Sequence, residues 1–130
     1  MISLMARRHS DEFPLRSACP IAAGLDVVGD RWTLLILRDL LLGKTKYNEF
    51  LAGEEGIPTN ILADRLQRMQ QLGLIHKSAY QDKPVRYAYG LTEKGRDLRY
   101  AVGALAMWSK KYVPSVKINE RLRQMIVAEE

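Results

Sequence analysis

The first strong pattern along the chain is helical. Between Pro20 and Val28 apolar residues fall at Ile21, Leu25 and Val28, spacings of four and three that place them on one face of a helix. Proline suits the first turn, where a backbone N–H has no helical partner in any case. This segment is predicted to end near Gly29. Asp30 then stands where it can cap a second helix, RWTLLILRDLLL, whose apolar residues Trp32, Leu34, Leu35, Ile36, Leu37, Leu40 and Leu41 cover nearly every side. A helix that is apolar all round belongs at the centre of a core. Gly43 is its expected stop, because glycine takes the left-handed conformation at a helix end without steric cost. Thr45 is the expected N-cap of a short third helix, KYNEFLA, with Tyr47, Phe50 and Leu51 on one face and an acidic turn between Gly53 and Gly56 after it.

The next pattern begins at Thr59, where Leu62, Leu66 and Met69 form the buried stripe of a fourth helix that Gly73 stops. Its opposite side, Asn60, Asp64, Gln67 and Gln71 flanked by Ala63, Arg65 and Arg68, carries no large apolar group. That side is predicted to face outward. After Gly73 the period shortens to two in LIHKSAY and VRYAYGL, joined by Gln81, Asp82, Lys83 and Pro84, which reads as an antiparallel hairpin. Val85, Tyr87, Tyr89 and Leu91 share one face of its second strand, with Arg86 on the other and Lys83 at the tip. Thr92 is the expected cap of one long helix, Glu93 to Val113, with Leu98, Val102, Leu105, Trp108 and Tyr112 along one side. A last amphipathic segment, NERLRQMIVAEE, has Ile118, Leu122, Met125 and Ile126 on one flank and calls for a partner surface.

With 130 residues, 47% of them hydrophobic and 27% charged, the chain has the balance of one compact domain. Three parts are expected: a flexible N-terminal arm (1–17), the main domain (18–113) and a C-terminal helix (114–130). The longest apolar run is broken by Arg38 and Asp39 and falls short of the ~20 residues a membrane helix needs. The N-terminal residues lack the continuous apolar core of a signal peptide. One cysteine, Cys19, excludes an intramolecular disulfide, so a reducing compartment, the cytoplasm, is expected. The net charge of +5 makes a polyanionic partner plausible, and its distribution sharpens that reading. Residues 57–100 hold eight Lys or Arg against four acids, whereas residues 1–56 hold seven against eight.

The order helix, short helix, helix, two-stranded hairpin is that of a winged helix-turn-helix, mostly α with a small β-hairpin wing. A helix about 10–12 Å across fits the major groove of DNA and aims its first turns at base edges and phosphates. The predicted DNA-contacting set is Thr59, Asn60, Ala63, Asp64, Arg65, Gln67 and Arg68 on the fourth helix, with Lys83 and Arg86 on the wing. Amides and hydroxyls there would read base edges, and guanidiniums would hold phosphates or guanines. Asp64 is expected to pair with Arg68 four residues on, since a bare carboxylate opposes phosphates; accepting from a cytosine amine is the other reading.

Several separate marks carry a family resemblance: Cys19-Pro20 opening a helix, GDRWTLLILRDLLLG (29–43), KYNEF (46–50), GIPTNILADRLQRMQQLGLI (56–75) and VRYAYGLTEKG (85–95). In this order and spacing they resemble the HxlR-type winged-helix transcriptional regulators, within the MarR-like superfamily. The resemblance implies a homodimer, a recognition helix over 59–72, a wing over 74–91 and, as partner, a pseudo-palindromic double-stranded DNA operator. Extra N- and C-terminal helices would form the dimer, through Ile21, Leu25, Leu105, Trp108, Tyr112, Leu122, Met125 and Ile126. Many members open the recognition helix with serine; this chain has Pro58, so Thr59 is the alternative cap.

Cys19 admits two readings. At a helix start its sulfur lies near unpaired N–H groups and the positive end of the dipole, which lowers a thiol pKa and favours the reactive thiolate. The resemblance extends to it the redox- or electrophile-sensing role that some relatives give a cysteine at this place. The other reading is a small buried thiol under the dimer helices. Trp32, Trp108, Tyr112 and the methionines read as core or dimer interface rather than as an effector pocket. His9 and His76 have no second ligand at metal spacing, and no phosphate-binding glycine loop or nucleophile elbow occurs. No metal, no cofactor and no catalysis are expected, no membrane partner either, and the nature of any small-molecule effector is not legible. A winged-helix adaptor that binds protein instead of an operator is the alternative function.

Overall fold

The computed structural model describes residues 16–127, so nearly all of the expected arm falls outside the described residues. In chain order the elements are α1 (Pro20–Val28), α2 (Arg31–Leu41), α3 (Tyr47–Leu51), α4 (Thr59–Gln71), β1 (Ile75–Asp82), β2 (Val85–Leu91), α5 (Glu93–Arg96), α6 (Arg99–Tyr112) and α7 (Glu120–Val127). The Asp30 carboxylate accepts from the Thr33 N–H at 3.2 Å and starts α2 as its position predicts. α2 and α4 end in the same way: Gly43 (φ 101°) and Gly73 (φ 75°) take the left-handed region, and the following N–H turns back to the carbonyl of Asp39 or Met69, at 2.9 Å in each case.

The core is built where these helices meet. Ile36, Leu37 and Leu40 of α2 face Leu62, Leu66 and Met69 of α4, and Phe50, Leu74, Ile75, Val28 and Val102 close the cluster. Leu37, Leu62 and Met69 have no exposed surface, so truncating any of them to alanine should cost about 2–5 kcal/mol. The hairpin is antiparallel, with Ile75 opposite Leu91 and Lys77 opposite Tyr89, and its register shifts between Ala79 and Gln81. A bridge from Lys46 to Ala88, with the Tyr89 N–H on the Thr45 carbonyl at 2.7 Å, ties the α2–α3 connection to β2. Tyr89 and Leu91 pack on the core, whereas Val85 and Tyr87 farther out are exposed; the outer hairpin leaves the body of the domain.

Two expectations change. The long helix from Glu93 to Val113 is two helices. Thr92 caps only the short α5, accepting from the Gly95 N–H at 3.1 Å, and the Leu98 N–H then reaches back three residues to Gly95, a tight turn that separates α5 from α6. Thr45 is not the cap of α3: its own N–H and that of Lys46 both donate to the Glu49 carboxylate at 2.9 Å, which holds that group below its usual pKa. On the C-terminal segment, part of the apolar flank meets the same chain. Leu122 is half-buried, Met125 packs on the core, and Arg121 donates to the Leu42 carbonyl at the end of α2. The side chain of Ile126 lies outside the described residues.

Candidate nucleic-acid interface

α4 is fastened on one side and bare on the other. Leu62, Leu66 and Met69 bury its inner stripe, and the Tyr47 hydroxyl donates to the Thr59 carbonyl at 3.0 Å, fixing α3 against its first turn. Pro58 is the N-cap and supplies no side-chain acceptor, so Thr59 is the first helical residue and the leading N–H groups of α4 keep no capping partner from that side chain. Thr59, Asn60, Ala63, Asp64 and Gln67 are all exposed. Free amide protons and small polar side chains at one helix end match what phosphates and base edges require.

The arginine that pairs with Asp64 is not the expected one. Arg68 does not pair with Asp64. Its guanidinium donates to the backbone carbonyls of Val27 (2.9 Å) and Asp26 (2.8 Å) in the last turn of α1. Those carbonyls have no helical donor ahead of them and offer a partly buried, charge-assisted bond, which outweighs an exposed pair worth a few tenths of a kcal/mol. Asp64 pairs instead with Arg65, at 2.6 Å, while the Arg65 Nε donates to Asp30 at 2.8 Å. Burial works against the charge on Asp30, but the bonds from Thr33 and Arg65 prevail and hold its pKa below the ordinary value.

Lys83 and Arg86 are exposed at the end of the hairpin, with no ion pair among the described residues. Two lysines missed in the sequence join them: Lys77 of the wing lies over the Tyr87 ring at 4.2 Å, and Lys46, in the α2–α3 connection beside the wing, lies over the Tyr80 ring at 4.8 Å. Strand alternation already placed Tyr87 and Tyr89 on one face; the register sets Lys77 diagonally from Tyr87 and was the missing piece. A second unforeseen group braces the turn before α4. Arg38 forks onto both oxygens of Glu55 at 2.8 and 3.0 Å and also bonds the buried Asp39. Arg38 pulls the Glu55 carboxyl down to about 2.

Residues 27–117 match the family model of the HxlR-like helix-turn-helix. The chain belongs to that family. Among its relatives is the uncharacterised HTH-type transcriptional regulator MT3179 of Mycobacterium tuberculosis, 42% identical over 94 residues, which cover 72% of this chain and 59% of the relative. The chain thus spans about three fifths of the length of that mycobacterial protein. The uncharacterised HTH-type transcriptional regulator YdeP of Bacillus subtilis is 31% identical over 88% of both chains. The solved structure of the redox regulator HypR in its oxidised form superposes with a TM-score of 0.67 at 28% identity, covering 77% of this chain and all of HypR. The fold is therefore a winged helix of the MarR-like kind, with α4 in the recognition-helix position and β1–β2 as the wing.

Away from the exposed side of α4, this HxlR-like chain exposes Cys19 and several apolar side chains. Cys19 is the N-cap of α1 and is a free thiol, exposed on the single chain. The amides of Ala22 and Ile21 hold it below the usual thiol pKa, the direction its place at a helix start implies. Ile21, Leu25, Leu105, Trp108 and Tyr112 are 54–73% exposed, and the Trp108 and Tyr112 rings lie 5.4 Å apart. The apolar side of the predicted long helix thus divides: Leu98 and Val102 enter the core, and its C-terminal part is left to solvent. Among the described residues no cluster of three metal-ligating side chains occurs, and no helix is long and apolar enough to cross a membrane.

Proposed function

We propose that this chain is a homodimeric, sequence-specific DNA-binding regulator of transcription acting in the cytoplasm on a pseudo-palindromic operator. The observation that carries the reading is the helix α4, anchored by Leu62, Leu66 and Met69 and presenting Thr59, Asn60, Ala63, Asp64 and Gln67 bare to solvent. Asn60 and Gln67 are suited to base edges, the leading amides of α4 to phosphate, and Lys83, Arg86 and Lys77 to the backbone beside the groove. Dimerisation is supported by the apolar side chains of Ile21, Leu25, Leu105, Trp108 and Tyr112, too large and too exposed to be left to water. Two copies of α4 about 34 Å apart would enter successive major grooves. No part of this reading calls for catalysis or a cofactor.

Gel-shift titration against genomic promoter fragments and random duplex, at two salt concentrations, tests it. Affinity should fall by orders of magnitude over a fewfold rise in salt. Equal absence of binding to both duplexes at low salt refutes the reading and leaves the protein-binding adaptor.

A second layer rests on Cys19. An exposed thiol of lowered pKa is the form oxidants and electrophiles attack, and HypR is named a redox regulator. We infer that modification of Cys19 adjusts operator binding. The chain has no second cysteine, so a disulfide must form with a thiol outside it.

A further inference from the structure

We propose that Arg65 and Arg68 are positioning residues for base reading: they set the roll of α4 against the corner between α1 and α2, so that the reading face depends on where α1 lies. The inference rests on the DNA-binding role proposed above and adds to it the route by which α1 governs that role.

The two side chains are three residues apart on α4 and share one side of it. Arg68 uses its fork on Asp26 and Val27, where the orphan carbonyls and the negative end of the α1 dipole attract a cation. Arg65 reaches Asp30, the cap of α2, so the pair grips both ends of the short corner from Asp26 to Asp30. Apolar contact along Leu62, Leu66 and Met69 is non-directional and lets a helix roll by small angles. A guanidinium with its donors in a fixed plane does not. Arg65 also holds Asp64 at 2.6 Å, so the side chain that touches the corner fixes a carboxylate of the reading face. Both arginines are half-buried, with these nitrogens committed inside the protein.

The test uses the full chain with Arg68→Met and Arg65→Met, at a temperature where melting curves show every variant folded. Fluorescence anisotropy is read on an operator duplex, selected from genomic fragments by the unmodified protein, and on a random duplex, over a salt series. Hydrogen exchange is followed in α1 and α4. For Arg68→Met the operator Kd should rise tenfold or more, the random-duplex Kd stay within twofold and the salt slope remain unchanged, with faster exchange at the end of α1 and in α4. A slope reduced by about 0.9, with both duplexes weakened, would make Arg68 a phosphate ligand and overturn the proposal. So would operator affinity equal to that of the unmodified protein, since the bonds would then serve only the fold. If Arg68→Met does not fold, Arg68→Lys replaces it; an intermediate operator Kd at unchanged slope is expected, and a Kd equal to that of the unmodified protein refutes the inference. Should the unmodified protein bind neither duplex, the DNA reading fails by itself, and unchanged exchange in α4 of the variant overturns the positioning role separately.

Discussion

Replacing Glu55 by Gln removes one of the two carboxylate partners of Arg38, the one at the turn that leads into α4, while Arg38 keeps its bonds to Asp39. The lowering of the Glu55 carboxyl from 4.5 to about 2 sets a ceiling of about 3 kcal/mol. The Arg38 and Glu55 side chains are 24% and 28% exposed, so solvent screening reduces the expected loss to about 1–2 kcal/mol at neutral pH. The pH dependence has a definite sign. Glu55 titrates at about 2 in the folded chain against an ordinary 4.5, so the native state is the one that releases its proton more readily. The stabilisation is complete above about pH 4.5 and disappears as pH falls through about 2, roughly half of it by pH 3. Urea unfolding of both proteins at pH 7, 5 and 3 reads the gap directly, and the carboxyl carbon shift of Glu55 reads its midpoint. A gap as wide at pH 3 as at pH 7, or a Glu55 midpoint above 4, would refute the assignment of this stability to the ion pair.

Three further outcomes are expected. Gly95→Ala would place a methyl group 2.0 Å from the Leu74 carbonyl oxygen, so the contact between α5 and Leu74 must open; a loss of about 2 kcal/mol or more is expected in thermal or urea unfolding, and a change within 0.5 kcal/mol would show the contact to be looser than described. Asn60→Ala and Gln67→Ala lie on exposed positions and should leave stability within about 0.5 kcal/mol, yet each should lose about 1–3 kcal/mol of discrimination between operator and mismatched duplex in competition assays. Cys19→Ser should keep operator affinity and abolish its response to peroxide or N-ethylmaleimide; a response that persists removes Cys19 as the sensor.

What could be read from the sequence was whatever is settled within a few residues of chain. Pro20, Asp30, Gly43 and Gly73 mark the ends of α1, α2 and α4 because caps and left-handed turns are local, and the stripe Leu62, Leu66, Met69 locates the inner side of α4 by period alone. The partner of Arg68 was not legible. Local spacing offers Asp64, but the deciding acceptors are carbonyls some forty residues earlier, and only packing brings them near. The same holds for Asp39, which reads as the polar interruption of an apolar helix and is in fact buried beside Arg38 and Lys44. The break between α5 and α6 lies at the tight turn that brings the Leu98 N–H back to the Gly95 carbonyl, which a helical pattern that continues unbroken through it does not reveal. Met125 packs on the core of its own chain, a contact that the amphipathic period of its segment does not specify.

The far end of α4 is fastened by a cluster of short bonds: the Thr92 hydroxyl on the Gly73 carbonyl (2.6 Å), the Lys94 ammonium on the Leu72 carbonyl (2.8 Å) and the Thr92 N–H on the Leu74 carbonyl (3.0 Å). That end therefore behaves as a fulcrum shared with the base of the hairpin. The 13 residues of α4 make a lever of about 18–20 Å, so a tilt of about 10° moves Thr59 by roughly 3 Å, the length of a hydrogen bond, and hardly moves Leu72. If α4 reads DNA as proposed, substitutions near the fulcrum should therefore alter which bases are read without touching any residue that reads them, and differences in target choice between proteins of this shape can originate well away from the groove.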